Sequence, residues 1–514
     1  MNVAEWVSKR AQLYPDRLFL KQDDRACSNR RFDERVNRIA RALMACGLQR
    51  GARVVTLMSD ASAFLGVFFA CARAGAIIVP LNANLALPEL DHIIRDCAPR
   101  LLVYTRDARE AAAALKTAGR GIAHCWSCEE DLPPADLAAG TIDRGLPVAD
   151  GAPDEAVCLD DPLLIMYTSG TTGTAKGAVL THGNFLFGAI HSLLNYRLDA
   201  TCKSLVVAPL FHIGALAASV MPVVYAGGQL VLKSFDNPSD VLTCIGREKI
   251  TYMFAVPVMY EMMAKSPRWP AADFAHTHFF ISGGAPMPVP LIRKYQREKG
   301  IRFAQGYGMT ETLRITALDL EDAVRKAGSI GKEVFHTLLR IVDDNGRDLG
   351  ANATGEIIVK GPTVFLKYWN QPQATEAVLR DGWFYTGDLG RRDEDGFVYI
   401  VGRKSDLIIC AGENIYAAEV ERAIADHPQV AEAAAVGLPD ARRGEIVVAF
   451  VRRAEACELE EGALHRYLDG KIAAFKHPRK IHFVKDFPRN QTGKILKAEL
   501  KKAFEVQRDV RTSP

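Results

Sequence analysis

Residues 167–177 read YTSGTTGTAKG and follow directly on the apolar run LLIMYTS at 163–169. The run has the length and apolarity of a buried strand, and it ends where the polar loop begins. Gly170, Gly173 and Gly177 permit tight turns and close backbone approach. Thr168, Ser169, Thr171, Thr172 and Thr174 supply hydroxyls, and Lys176 supplies a cation. A strand that empties into such a loop is suited to cradle a polyphosphate at the carboxyl edge of an α/β sheet. The Walker A pattern is excluded, because Ala175 stands where its second glycine would fall and Gly177 where a Ser or Thr would follow the lysine. A merely flexible polar connection would not need this set of groups directly behind an apolar strand.

On either side of the loop, short strands alternate with helical segments. ARVVTLMS (52–59) and GAIIVPLN (75–82) flank the helical SAFLGVFFACARA, and LLVYT (101–105), SLVVAPL (204–210), GQLVLK (228–233), YMFAVP (252–257) and HFFISGG (278–284) are further candidate buried strands. The fold class expected is therefore α/β. A large N-terminal domain (1–403) would hold layered α/β subdomains plus a β-rich subdomain, which LLRIVDDNGRDL, GEIIVKGP and GFVYIVGR announce with turn signals between alternating strands. A small α+β C-terminal domain (404–514) would follow, with the helix AAEVERAIADH and the strands AEAAAVGLP and EIVVAFVRR.

The chain has 514 residues, 48% hydrophobic and 24% charged, which is the balance of a globular protein with ample core. Its 64 Lys and Arg against 61 Asp and Glu leave a formal charge of +3, too little field to hold a nucleic-acid backbone. Eleven cysteines, an odd and scattered number, argue for a reducing compartment, and Cys125 and Cys128 form a CxxC with no second pair at zinc spacing. The start, MNVAEWVSKRAQLYPDR, does not read as a secretory signal, so a cytoplasmic setting is expected. Residues 204–232 carry no Asp, Glu, Lys or Arg, yet Pro209, Gly214, Pro222, Gly227 and Gly228 cut them into short core pieces.

Further glycine-rich and charged motifs follow in order: PLFHIGA at 209–215, SGGAP at 282–286, QGYGMTET at 305–312, GEIIVKGP at 355–362, YTGDLG at 385–390, GRKSDLIICAGENIYAAEVE at 402–421 and PRNQTGKILK at 488–497. With residues 167–177 they resemble the ordered motifs of the acyl-adenylate-forming (ANL) superfamily, which comprises acyl-CoA synthetases, peptide-synthetase adenylation domains and firefly luciferases. The resemblance spans residues 167–497.

The resemblance implies a role for each matched position. Thr168, Ser169, Gly170, Thr171, Thr172, Gly173 and Lys176 would surround the ATP phosphates. Gly283, Gly284, Ala285 and Gly306 would border the adenylate, with Tyr307 stacking on adenine, although a lone aromatic is more often core. Thr310 and Glu311 would hold the α-phosphate and Mg²⁺, which suits an oxygen-seeking cation. Asp388, which could equally be an ordinary turn residue, would accept the ribose hydroxyls, with Arg403 and Gly412 on the same nucleotide. His212, by itself readable as a satisfied core histidine, would gate the acyl site. Lys494, by itself one of many surface lysines, would be the catalytic lysine between substrate carboxylate and α-phosphate.

The implied activity is an ATP-dependent carboxylic acid:CoA ligase that works through an acyl-adenylate, with ATP, Mg²⁺ and coenzyme A required. An amino-acid substrate is disfavoured because residues 211–260 offer only Asp236, Asp240 and Glu248 as amine partners and none lies in a motif. The acid expected is a fatty acid; aryl or dicarboxylic acids and a non-CoA acceptor are the alternatives. Arg314, just after QGYGMTETL, is expected to pair with a protein carboxylate outside the pocket; the alternative is that it points into the pocket and pairs with a second carboxylate on the substrate. From 471 to 514 there are twelve Lys and Arg against four Asp and Glu. This local +8 fits CoA phosphates, and equally a solvated helix face or weak contact with a membrane surface. Members of the superfamily swivel the C-terminal domain between half-reactions at a residue usually Asp or Lys; Ser405 occupies that position here. Oligomeric state is left open.

Overall fold

Ile77–Leu81 is buried at every position, as a parallel strand covered on both faces must be. The computed structural model describes residues 2–118, 121–128, 157–168, 175–285, 287–410, 413–440, 442–455, 457–489 and 495–512. Ile77–Leu81 sits in a seven-stranded sheet whose parallel core also holds Arg53–Leu57, Leu101–Thr105, His124–Cys128 and Pro162–Thr168. Lys176–Thr181 returns antiparallel to Pro162–Thr168, and the short strand Lys367–Tyr368 adds to its far side. A nine-stranded sheet contains the parallel strands Lys203–Val206, Gln229–Leu232, Tyr252–Ala255, Phe279–Ser282 and Phe303–Met309, with Leu313–Leu318 turning back antiparallel.

Helix Ala61–Ala74 is buried along nearly its whole length, as its apolar composition requires. The Asp60 side chain accepts the Ala63 N–H at its start, and Gly75 at φ 66° closes it. Residues 204–232 form core, as expected: strand, helical turns and strand. Ala215–Val220 is a π-helix that runs into helix Met221–Ala226. Among the described residues, no helix is long and apolar enough to cross a membrane. Cys125 and Cys128 lie three apart on one strand, so their side chains leave opposite faces and cannot chelate a common ion. All eleven cysteines are free thiols.

Two compact units emerge, 1–338 with 359–384, and 339–358 with 385–514. The chain passes between them three times, within strands Leu338–Val342, Thr354–Lys360 and Trp383–Arg392. In the second unit, Val430–Asp440 pairs antiparallel with Gly444–Arg453, Lys480–Val484 lies parallel to the latter, and Val420 and Ile424 of helix Ala417–Ala425 join the core beside them. The position 403/404 expected as a domain boundary lies inside this unit.

A buried histidine ties the first unit's stability to pH. His182 is fully buried, and its Nδ1 accepts the Val3 N–H at 3.3 Å. Burial holds its pKa down to about 4, against the pull of Asp161. The unfolded chain therefore takes up this proton first; the contribution is full above about pH 6.5 and is lost as pH falls toward 4. The expected loss is about 3 kcal/mol at most. Melting temperatures from pH 7 to pH 4 should fall more steeply for the wild type than for His182→Asn, which keeps an acceptor without a titrating ring. Parallel pH profiles would show that another group is responsible.

Candidate active site

The two ends of the phosphate loop are held in register, Thr168 opposite Lys176 and Tyr167 opposite Gly177. Ser169, Gly170, Thr171, Thr172 and Gly173 lie outside the described residues. Thr168 Oγ1 donates to the Lys176 carbonyl at 3.5 Å. Tyr167 is turned away to a structural task, its hydroxyl donating to Asp96 Oδ2 at 2.5 Å.

Thr310, Glu311 and Thr312 form the three-residue tip of a hairpin between Phe303–Met309 and Leu313–Leu318. The tip is closed by Leu313 at φ 51°, a left-handed position a three-residue hairpin requires and a leucine rarely adopts. The Met309 N–H donates to Thr312 Oγ1 at 3.2 Å. Gly308 has no room for a side chain, since a Cβ there would lie 1.7 Å from the Leu313 carbonyl oxygen.

Glu311 is buried, with Oε1 accepting the Tyr368 hydroxyl at 2.7 Å. Burial, then the charge of Glu311, push the Tyr368 phenol well above its ordinary range, so it stays a donor. The Lys176 ammonium stands 5.4 Å from the centroid of the same ring. Tyr368 thus connects the loop lysine and the hairpin carboxylate. Sequence reasoning missed it, and the only signal was an aromatic pair, KYWN, shortly after GEIIVKGP.

Gly283, Gly284 and Ala285 follow strand Phe279–Ser282, with Gly284 at φ 81°. A Cβ on Gly283 would lie 3.1 Å from the Phe254 ring and 3.7 Å from the Gly306 carbonyl. Gly214 closes on the opposite edge of that ring, 2.8 Å from Cζ by the same measure. Tyr307 is half-buried, with its N–H donating to Thr316 Oγ1 at 3.3 Å. His212 stands beside Phe211 at a centroid distance of 4.7 Å; its Nε2 is buried with no hydrogen-bond partner among the described residues, and burial lowers its pKa. A satisfied core histidine it is not.

Arg314 departs from expectation. Among the described residues it has no carboxylate partner; its guanidinium lies 4.4 Å over the Tyr196 ring and Nη2 donates to Ser192 Oγ at 3.0 Å. The strand alternation that buries Ile315 turns Arg314 toward helix His182–Tyr196, which offers hydroxyls and a ring.

In the second unit, Asp388 is buried and holds Arg403 Nε at 2.9 Å. It lies within strand Trp383–Arg392, directly opposite Arg403, and not in a turn, because the φ of 70° at Gly387 bends the strand without ending it. Ser405 is exposed in a short 3₁₀ turn, Lys404–Asp406. Gly412 and Lys494 lie outside the described residues. The flanks of the lysine are joined by an antiparallel bridge between Arg489 and Ile495, and the Leu496 N–H donates to the Pro488 carbonyl at 2.8 Å.

Known proteins share this layout. Residues 7–369 match the AMP-binding enzyme family, and residues 419–494 match the AMP-binding enzyme C-terminal domain. Feruloyl-CoA synthase of Amycolatopsis is 38% identical over 98% of this chain and 99% of its own. Indoleacetate–CoA ligase of Aromatoleum aromaticum is 38% identical over 98% of each. The crystal structure of ATP-bound MatB from Rhodopseudomonas palustris superimposes with a TM-score of 0.88 at 33% identity, covering 98% of this chain and 99% of that one. The chain belongs to the AMP-binding enzymes, the acyl-adenylate-forming superfamily. Within that superfamily it is an AMP-forming acid–thiol ligase, an acyl-CoA synthetase that takes a small carboxylic acid, ATP and CoA.

Proposed function

We propose that this enzyme makes CoA thioesters of compact aryl acids, ahead of the fatty acids expected from its sequence. The carrying observation is the Phe254 ring, wedged between Gly214 and Gly283 with Arg314 behind Gly306. We take that ring as the wall of an apolar acyl site with a polar end, which suits a flat ring better than a long alkyl tail. The relatives named for feruloyl and indoleacetate substrates support the same reading. AMP release that depends on both acid and CoA, compared across cinnamate, indoleacetate and a straight-chain series, tests it. A kcat/KM that climbs about fourfold per methylene would instead favour fatty acids.

In the mechanism, the acid's carboxylate attacks the α-phosphorus of ATP and diphosphate leaves; CoA then attacks the acyl carbon and AMP leaves. Negative charge builds on the phosphoryl oxygens in the first step. Lys494, Lys176, Thr310 and the hydroxyls and amides of residues 168–174 stabilise it, with little covalent work for side chains. Mg²⁺ fits the donors present: one buried carboxylate, Glu311, is hard oxygen chemistry, and only its Oε1 is engaged by Tyr368. Glu311 would hold that ion, which would supply charge neutralisation to the phosphates. Tyr307 and the Gly283–Gly284–Ala285 turn receive adenine, and Asp388 with Arg403 receives the ribose. His212, kept neutral by its burial, moves without carrying a charge when the acid enters.

Tyr368→Phe removes one hydrogen bond to a charged group, a loss of about 10-fold in adenylation, with a higher Mg²⁺ concentration for half-maximal rate. An unchanged Mg²⁺ titration would detach Tyr368 from the metal site. We further propose that the C-terminal domain of 404–514 swivels at Ser405 between half-reactions. Ser405→Pro should spare adenylation and cripple thioester formation, since proline fixes φ. Normal thioester formation would move the hinge elsewhere, for instance to the edge of the unit that starts at Leu339.

A further inference from the structure

Arg314 lies against the glycines of the adenylate strand. A Cβ on Gly306 would be 2.8 Å from Arg314 Cδ, so the arginine stem fills the space that a side chain at 306 would take. Gly306 in turn faces Gly283, which closes on Phe254. Arg314 therefore sits at the polar end of the slot proposed for the acid.

Among the described residues its direct partners are a hydroxyl and a ring, with no carboxylate in contact, although the charge of Asp319 reaches the same Tyr196 ring. Ser192, which accepts from Arg314, already spends its own proton on the Gly188 carbonyl at 3.0 Å. Arg314 Nε is buried without a hydrogen-bond partner among the described residues. Next to Ser192, His191 is fully buried; its Nε2 lies 3.0 Å from His336 Nδ1, and its own Nδ1 has no partner. Burial, then the charges of Arg314 and His336, hold His191 down to about 3, so the imidazole adds no charge of its own near neutral pH. Asp319, the acid on the same strand's end, has Arg197 as its cationic neighbour.

A partly buried guanidinium whose Nε has no partner, with no carboxylate in contact among the described residues, calls for an anion from outside. We propose that Arg314 is a specificity subsite for a second carboxylate on the substrate, so that the preferred acid is an aryl dicarboxylic acid activated at one end and held at the other. This rests on the compact aryl slot described above.

Matched pairs separate the two ideas: cinnamate against 4-carboxycinnamate, and 3-phenylpropanoate against its 4-carboxy analogue, each in CoA-dependent AMP release. The wild type should favour the dicarboxylate of each pair by about 10-fold or more, and Arg314→Leu should lower the dicarboxylate-to-monocarboxylate ratio of kcat/KM by about 30-fold, mostly through KM. Arg314→Lys, which keeps charge but loses the planar fork, should fall between. Should Arg314→Leu not fold, Ser192→Ala reads the same ratio and should lower it severalfold. A wild-type preference for the monocarboxylates, or a ratio unmoved by these variants, overturns the subsite while the aryl reading stands. Turnover of straight-chain acids alone overturns both.

Discussion

Replacing Lys494 by alanine should slow adenylation by about 10²-fold or more while leaving thioester formation from supplied acyl-adenylate in place. The asymmetry follows from where charge develops. In the first half-reaction a carboxylate approaches an already anionic α-phosphate, and a cation bridging the two offsets repulsion that is greatest in the transition state. In the second, a thiolate attacks an activated acyl carbon and AMP departs, so that bridge has nothing to hold. The flanks are suited to present a lysine, since Arg489 and Ile495 pair across the residues between them. The measurement is pyrophosphate exchange set against CoA-dependent consumption of synthetic acyl-adenylate. Equal losses in both would show that Lys494 supports the fold and not the first step.

Gly308→Ala should be as damaging, for a steric reason. The new methyl would sit 1.7 Å from the Leu313 carbonyl oxygen, which is backbone and cannot swing aside. Relief requires the hairpin to open at the point where Leu313 already holds a left-handed φ of 51°. Thr310 and Glu311 ride on that tip, and a displacement of about 1 Å at a catalytic group costs about 10²-fold. Adenylation should therefore drop by about 10²-fold or more, accompanied by a lower melting temperature. An alanine variant with normal exchange kinetics would mean that the tip does not position the reacting groups.

Much of the fold was legible from local pattern. The runs at 52–59, 75–82, 101–105, 163–169, 204–210, 228–233, 252–257 and 278–284 all became strands, because short apolar runs bounded by Gly, Pro and hydroxyl residues have few other ways to bury their backbone polar groups. The hairpin partner Lys176–Thr181 was not anticipated, as a strand that starts inside a polar motif carries no periodic signal of its own. The motif YTGDLG reads as a turn around Asp388, yet the strand continues through it, with Arg403 paired across.

What the sequence by itself determined was the α/β class, the order of the motifs and, through their resemblance, the adenylate-forming chemistry; these depend on neighbours within a few residues, where backbone geometry sets the pattern. Only the tertiary structure decided what Glu311 and Arg314 touch. Tyr368 reaches Glu311 across 57 residues, and Ser192 reaches Arg314 across 122. At such separations the chain's spacing says nothing about which side chains meet, and the meeting is set by how the sheets and helices pack. That packing left Arg314 among hydroxyls and rings where a carboxylate had been expected, and it is the packing that points the acid site toward a second anionic group.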